Sequence, residues 1–315
     1  MKDQQKNQEF YEHVADSALT DCRLCPRQCR VDRTGTAGFC GCKDQVFAAR
    51  AALHLWEEPC ISGIRGSGTV FFSGCTLRCC FCQNYKISQE HFGKPVSTRQ
   101  LADIFLRLQE EGAHNISLVT ATQYLPWILP ALDLVRHRLQ IPVVYNCGGY
   151  EREEIVRALD GYVDIWLPDL KYFDPELSRR FSGAADYFAV AARAILQMLA
   201  QAGPPKFHTE EGHAIMDRGV IIRHMVLPGH KDDSIRLLQW MAETLPKNQY
   251  YISLLSQYTP FYHSSDYPEL SRRITSYEYQ KVVDTALSLG LDQGFMQEKS
   301  SAREEYTPPF DLEGV

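Results

Sequence analysis

From residue 69 onward the chain alternates short β-branched or apolar runs with amphipathic stretches, and this alternation restricts the folds open to it. Runs at 69–73, 115–120, 142–146, 163–169, 220–227 and 250–255 read as strands. Stretches at 97–111, 124–139, 151–159, 186–201, 232–245 and 276–289 read as the helices that follow them. Ser97 suits an N-cap, and Pro126 suits the first turn of its helix. Residues 294–297 offer one more strand. Alternation of this kind makes an α/β fold with a parallel sheet and helices outside it. Six units in about 230 residues fit a partial (β/α)6 barrel better than a closed eightfold one. Ligands of such sheets sit beyond the carboxyl ends of the strands. Chemistry is therefore expected after Ser73, Thr120, Asn146, Asp169 and Leu227.

The 315 residues are 44% hydrophobic and 23% charged, enough for a sizeable core and against disorder. A net charge of −6 gives no general basic field, so no nucleic-acid partner is expected. The polar start MKDQQKNQEF is no secretory signal, and no apolar run reaches the length of a membrane span. A soluble cytoplasmic protein without a membrane partner is expected. Three parts are anticipated. Residues 1–60 form an N-terminal helix (5–19) and a small Cys-rich segment, residues 61–300 the barrel, and residues 301–315 a Pro- and acid-rich surface tail.

Eleven cysteines are many for a reducing compartment, and all but Cys147 fall within the first 82 residues. Clustering of that kind reads as metal binding before disulfides. Cys75, Cys79 and Cys82 stand at x3 and x2 spacing directly after the first strand. A [4Fe–4S] cube normally takes four thiolates. Three in one tight loop leave one iron open, and an open position is where a metal centre does chemistry. The amino and carboxylate groups of S-adenosylmethionine can fill it, and an electron from the cluster then breaks the sulfonium C–S bond to give a hydrogen-abstracting radical. Gly74 allows the tight turn, Phe81 can shield the cluster and approach the adenine, and Cys80 fits a packed thiol. A zinc site is the competing reading of the loop, although zinc usually takes two separated pairs.

Cys22, Cys25, Cys29 and Cys40 form a second set, with Cys42 as a substitute for Cys40. Four thiolates at this spacing suit zinc or a second iron–sulfur cluster. Arg23, Arg27, Arg30 and Arg33 interleave with them and offset their charge. Cys60 and Cys147 are expected to be unliganded.

The loop GSGTVFFSGCTLRCCFCQN (66–84) resembles that of radical S-adenosylmethionine enzymes, with an aromatic before the last cysteine. CRLCPRQCRVDR (22–33), GTAGFCG (35–41), NCGGYE (146–151), LPDLKYFDP (167–175) and VLPGH (226–230) are similar to proteins that resemble the pyruvate formate-lyase activating enzyme. The resemblance implies a partial barrel of the radical S-adenosylmethionine type and a cytosolic electron donor such as flavodoxin or ferredoxin. Asp169 and Lys171 match an Asp-x-Lys motif near the bound cofactor. Lys171 and Arg223 would then meet its carboxylate, Asp169 a cation or the amino group, and Asn146 the ribose. The usual Gly-Gly-Glu after the second strand is replaced by Thr120-Ala121-Thr122-Gln123, which leaves Thr120 to stand in for a carboxylate. His224 and His230 receive no role.

Three functions remain open on sequence. One is an activating enzyme that makes a glycyl radical on a partner protein. A second is a radical enzyme acting on a small molecule or peptide. The third, of another class, is an iron–sulfur electron carrier or metal-binding scaffold.

Overall fold

A computed structural model describes residues 17–297 and 307–315. Most of the helix expected at 5–19 lies outside them, as do residues 301–306 of the expected tail.

The strands are β1 (Val46–His54), β2 (Ser67–Phe72), β3 (Lys94–Val96), β4 (Ile116–Val119), β5 (Val143–Cys147), β6 (Ile165–Pro168), β7 (Lys206–Glu210), β8 (His213–Met225), β9 (Tyr251–Leu255) and β10 (Gly294–Met296). They lie in the order β10-β9-β8-β6-β5-β4-β2-β1-β3, with β7 paired to β8. From β2 through β10 that path is parallel throughout. The two ends of the path do not pair, so the barrel is unclosed, as the βα alternation implies. Every residue of β2, β4, β5 and β6 is buried, as befits parallel strands covered on both faces.

The helices are α1 (Pro59–Ser62), α2 (Tyr85–Ser88), α3 (Thr98–Glu110), α4 (Leu125–Val135), α5 (Glu153–Ala158), α6 (Pro175–Ser182), α7 (Tyr187–Ala202), α8 (Lys231–Thr244) and α9 (Ser276–Ser288). Ser97 and Gln100 form a capping box at α3, and Thr275 and Glu278 another at α9. An outer apolar layer joins helices to sheet around Phe72, Phe105, Ile128 and Trp166. A separate cluster holds Cys60 and Ile61 of α1 against Val144, Ile165, Leu167 and Ile221, so α1 packs on the sheet apart from that layer.

Several elements differ from the expectation. Strand β1 falls within the expected Cys-rich segment. Its alanines give little β signal, and a bulge between Ala48 and Arg50 breaks its alternation. Short β3 pairs with it. Helix α6 falls in a stretch to which the sequence pattern assigns no element; Asp174 caps its start and Gly183 closes it in the left-handed conformation. Strand β8 begins seven residues before 220 because its first half forms a hairpin with β7, where buried Ile215 and Met216 sit among exposed or half-buried neighbours.

Candidate active site

Register aligns the carboxyl ends of the central strands. Phe71 pairs with Val119, Val119 with Asn146, and Asn146 with Leu167. Asp169, just past β6, bridges to Arg223 of β8. Loops after these strands share a cavity of about 240 Å³. Cys75, Cys79 and Cys82 line it together with Phe81, Thr120, Asn146, Asp169, Lys171 and Arg223. One cavity thus gathers every residue that the sequence nominated for the cluster and its cofactor.

The cysteine loop is pinned at several points. Gly74 turns it at φ 81°, and a Cβ there would meet Cys42 Sγ at 2.4 Å. Gln123 Nε2 donates to the carbonyls of Ser73 and Gly74, each at 3.1 Å. The amides of Arg78 and Cys80 donate to the end of α6, at Ser182 and Phe181. Cys80 is buried but does not line the cavity. Sulfur contacts come from Ser182 Oγ (2.9 Å from Cys79 Sγ), Ser88 Oγ (3.2 Å from Cys82 Sγ) and the Leu77 amide (3.4 Å from Cys75 Sγ). Hydrogen bonds of this kind orient metal ligands and tune them. Burial pushes all three thiols up, Cys82 to about 11, so without a metal they are protonated. A metal must displace those protons.

Three soft sulfurs in one loop, with Cys79 buried and Cys75 and Cys82 partly so, are the donor set an iron–sulfur cluster takes. Three thiols in one loop lack the two separated pairs that structural zinc usually takes, so the loop fits a cluster better than zinc.

Charged groups form the remainder of the wall. Lys171 Nζ donates to Asp169 Oδ2 at 2.6 Å, and Arg223 Nε to Asp169 Oδ1 at 3.0 Å. Arg223 Nη1 reaches Glu57 Oε2 at 3.2 Å, and Arg223 Nη2 donates to Asn146 Oδ1. Asn146 Nδ2 completes the ring on Glu57 Oε1 at 3.1 Å. Burial alone would raise Asp169, but Lys171 and Arg223 overcome it and hold the carboxyl below its usual value. Burial raises Glu57, against the pull of Arg223. Two acids and two bases thus face one another in the wall, with buried Glu58 a third acid near Arg223. A ligand carboxylate that takes Lys171 or Arg223 frees an acid to meet a ligand cation.

The sequence reading missed Glu57. It follows β1, whose pairing with β2 carries it to the cavity. Thr120 lines the cavity in the left-handed conformation (φ 58°), a strained state for a β-branched residue. Its carbonyl accepts from Gln123 at 2.8 Å. His224 is buried between the Leu170 carbonyl and Ser234, a packing role.

Gly149 sets the position of Asp169. It lies at φ 75°, and a Cβ would fall 2.0 Å from the Asp169 carbonyl oxygen. Gly149→Ala is expected to lower stability by about 2 kcal/mol or more, since an unsuited φ and a backbone clash add. Urea denaturation checks this; an unchanged midpoint would contradict the geometry.

Glu151 is buried nearby and accepts a hydrogen bond from Thr122 at 2.8 Å. Burial pushes its carboxyl up to about 8, against that bond. Folding therefore favours its protonated form, and the stability gained is full below the unfolded pKa of about 4.5 and is lost as pH rises through about 8. Wild type is expected to lose more stability than Glu151→Gln between about pH 6 and pH 9. Equal losses in urea titrations would show that this carboxyl does not carry the dependence.

Of the N-terminal set, Cys22, Cys25 and Cys40 are buried and Cys29 is partly so. Cys29 Sγ and Cys40 Sγ flank Gly38, at 3.4 and 3.5 Å from where its Cβ would stand. Cys42 Sγ instead points to the carbonyls of Cys40 and Ser73. Arg27 Nε donates to the Thr76 carbonyl at 2.9 Å, tying this segment to the cluster loop. Cys60 packs in the α1 cluster, and Cys147 lines the main cavity.

The strand ends of the barrel thus present a three-cysteine loop beside a buried acid–base ring. The model of the Radical SAM superfamily matches residues 69–241, and the chain belongs to that superfamily. It is thus an enzyme of S-adenosylmethionine-dependent radical chemistry, which requires an iron–sulfur cluster and an electron donor. It is 30% identical over 289 residues to the uncharacterized protein MJ0674 of Methanocaldococcus jannaschii, covering 89% of this chain and 78% of that one. MJ0808 of the same organism is 20% identical over 305 residues, covering 90% and 81%. Solved structures are more distant. SuiB of Streptococcus suis bound to S-adenosylmethionine is 14% identical with a TM-score of 0.46, covering 71% of this chain and 48% of its own. Methylornithine synthase (PylB) is 13% identical with a TM-score of 0.46, covering 90% and 68%. A domain of pyruvate-formate lyase-activating enzyme from Bacteroides vulgatus is 15% identical with a TM-score of 0.37, covering 64% and 91%. The chain thus spans about half the length of SuiB.

Proposed function

We propose that Cys75, Cys79 and Cys82 hold a [4Fe–4S] cluster and that the acid–base ring beside them binds S-adenosylmethionine. When bound, the cluster supplies the electron that cleaves S-adenosylmethionine to a 5′-deoxyadenosyl radical, which takes a hydrogen atom from a substrate. The convergence of the three thiols with Asp169, Lys171 and Arg223 on one cavity carries this reading. Lys171 and Arg223 bind the ligand carboxylate, and Asp169 or Glu57 then receives its amino group. Asn146 is placed for the ribose, Phe81 shields the cluster side, and Thr120 turns its wall of the cavity.

The resemblance to activating enzymes adds a glycyl-radical partner as one substrate class, and a small molecule is the other. Flavodoxin or ferredoxin is the fitting electron donor. A cytoplasmic setting suits thiols that must stay reduced; no helix among the described residues is long and apolar enough to cross a membrane.

Cys22, Cys25, Cys29 and Cys40 hold a second metal, zinc or iron–sulfur. Arg33 supports this. It is fully buried, yet its hydrogen bonds go to the neutral carbonyls of Lys43 and Gln123. A buried guanidinium needs an anion, and metal-bound thiolates supply one.

Candidate substrates carrying deuterium at the reacting carbon test the reading. Reduced enzyme should return 5′-deoxyadenosine that contains the label. Unlabelled product from a consumed, labelled substrate would rule out direct hydrogen abstraction.

A further inference from the structure

Residues 307–315 do more than cover the surface. Two backbone hydrogen bonds lay them along β1, from the Leu312 amide to the Ala49 carbonyl (3.0 Å) and from the Ala51 amide to the Glu313 carbonyl (2.8 Å). Arg50 pairs with Asp311 at 2.8 Å and also with Glu313. Arg107 Nη2 bridges the carbonyls of Ala51 (2.9 Å) and Gly314 (2.8 Å). Gly314 lies at φ 68°, and a Cβ there would fall 2.0 Å from the Ala51 oxygen, so the seat requires glycine. Phe310 turns inward onto Phe71, with ring centres 5.6 Å apart, and joins an apolar cluster with Ala49, Ile87 and Val119. Thr307 and Pro308 line the same cavity as Cys75, Cys79 and Cys82.

We propose that this strap is the substrate-side wall of the radical chamber and that the substrate is a small molecule with an apolar portion. The proposal rests on the reading of the cavity as the site of S-adenosylmethionine cleavage. Size argues for it. Pockets for a single drug-sized ligand run to roughly 300–1,000 Å³. A chamber of about 240 Å³ is below that range, so S-adenosylmethionine would fill most of it and a further ligand must be small. Chemistry argues for it too. Charged cavity residues concentrate in the ring around Arg223, whereas Phe71, Ile87, Val119 and Pro308 offer carbon beside the neutral polar groups of Gln83, Asn84, Ser88, Gln257 and Thr307. The acids of the strap are taken up by Arg50. His54 adds no charge near neutral pH, because burial, helped by Arg50, lowers its pKa to about 4.

The test uses the reconstituted holoenzyme and two variants, Phe310→Ala, which removes the inward ring, and Gly314→Ala, which unseats the strap but keeps that ring. Iron removal is timed with bathophenanthroline disulfonate, a bulky chelator, and cluster bleaching is timed with dissolved oxygen, a small probe. Both variants are expected to lose iron to the chelator about tenfold faster than wild type, with a smaller change toward oxygen. Equal chelation rates in all three proteins would overturn the wall. In a second arm, wild type is given either the low-mass ultrafiltrate or the protein fraction of a cell extract, and 5′-deoxyadenosine is counted. Stimulation by the ultrafiltrate is the expected result; stimulation by the protein fraction alone would overturn the substrate class. If wild type cleaves no S-adenosylmethionine under any condition, the chamber reading itself fails. If it cleaves and the chelation rates do not move, only the strap proposal fails.

Discussion

Cys79→Ala, reconstituted anaerobically with iron and sulfide, is expected to lose the visible absorbance of the loop cluster. Its 5′-deoxyadenosine formation should fall by about a hundredfold or more, since even outer partners of metal ligands cost up to that much. Cys79 is the most informative of the three ligands. Its sulfur meets Ser182 Oγ, and Ser182 Oγ in turn lies 2.7 Å from the Tyr172 hydroxyl, so the ligand sits on a buried hydrogen-bonded chain. Cys79→Ser would keep the polarity and lose the thiolate. Iron and sulfide should be counted in Cys79→Ala, Cys79→Ser and Cys80→Ala. The first two are expected to lose iron equally, and Cys80→Ala, whose thiol does not line the cavity, to keep it. Iron loss in Cys80→Ala alone would shift the ligand set by one residue.

Arg223→Met is expected to lower stability by about 3 kcal/mol, the cost of breaking a buried ion pair and leaving Glu57 without its cation, while Asp169 keeps Lys171. The side chains of Arg223, Glu57 and Asp169 are 15%, 10% and 23% exposed, so little solvent screening softens the loss. A fall in Tm of about 5 °C corresponds to it. Affinity for S-adenosylmethionine should drop by about tenfold or more, one lost charge-assisted hydrogen bond being enough. Arg223→Lys separates charge from shape: it restores a cation but not the three-way fork to Asp169, Glu57 and Asn146. Recovery of Tm without recovery of affinity is the expected pattern. Full affinity in Arg223→Met would remove this residue from the cofactor site.

Most of the barrel was legible because its strands are short apolar runs bounded by capped helices. Ser97 and Thr275 start α3 and α9 by hydrogen bonds local in sequence. The cysteine loop was legible for a related reason: its ligands lie within eight residues, so spacing alone brings them together. Glu57 was not legible. It comes from beyond an Ala-rich strand with a bulge, and its partners Asn146 and Arg223 are distant in the chain. The strap was missed similarly, since acids and prolines read as solvated, while its seating depends on Arg50, Arg107 and one backbone gap at Gly314. Contacts fixed by tertiary pairing leave little trace in local pattern, and these two elements complete the cavity.

The central claim is most directly tested by mixing S-adenosylmethionine with anaerobically reconstituted, dithionite-reduced protein and measuring 5′-deoxyadenosine. Wild type is predicted to form it, and a variant with Cys75, Cys79 and Cys82 all changed to Ala is predicted to form none and to lack the loop's share of iron. A triple variant that kept all its iron and still produced 5′-deoxyadenosine would contradict the assignment of the cluster to this loop.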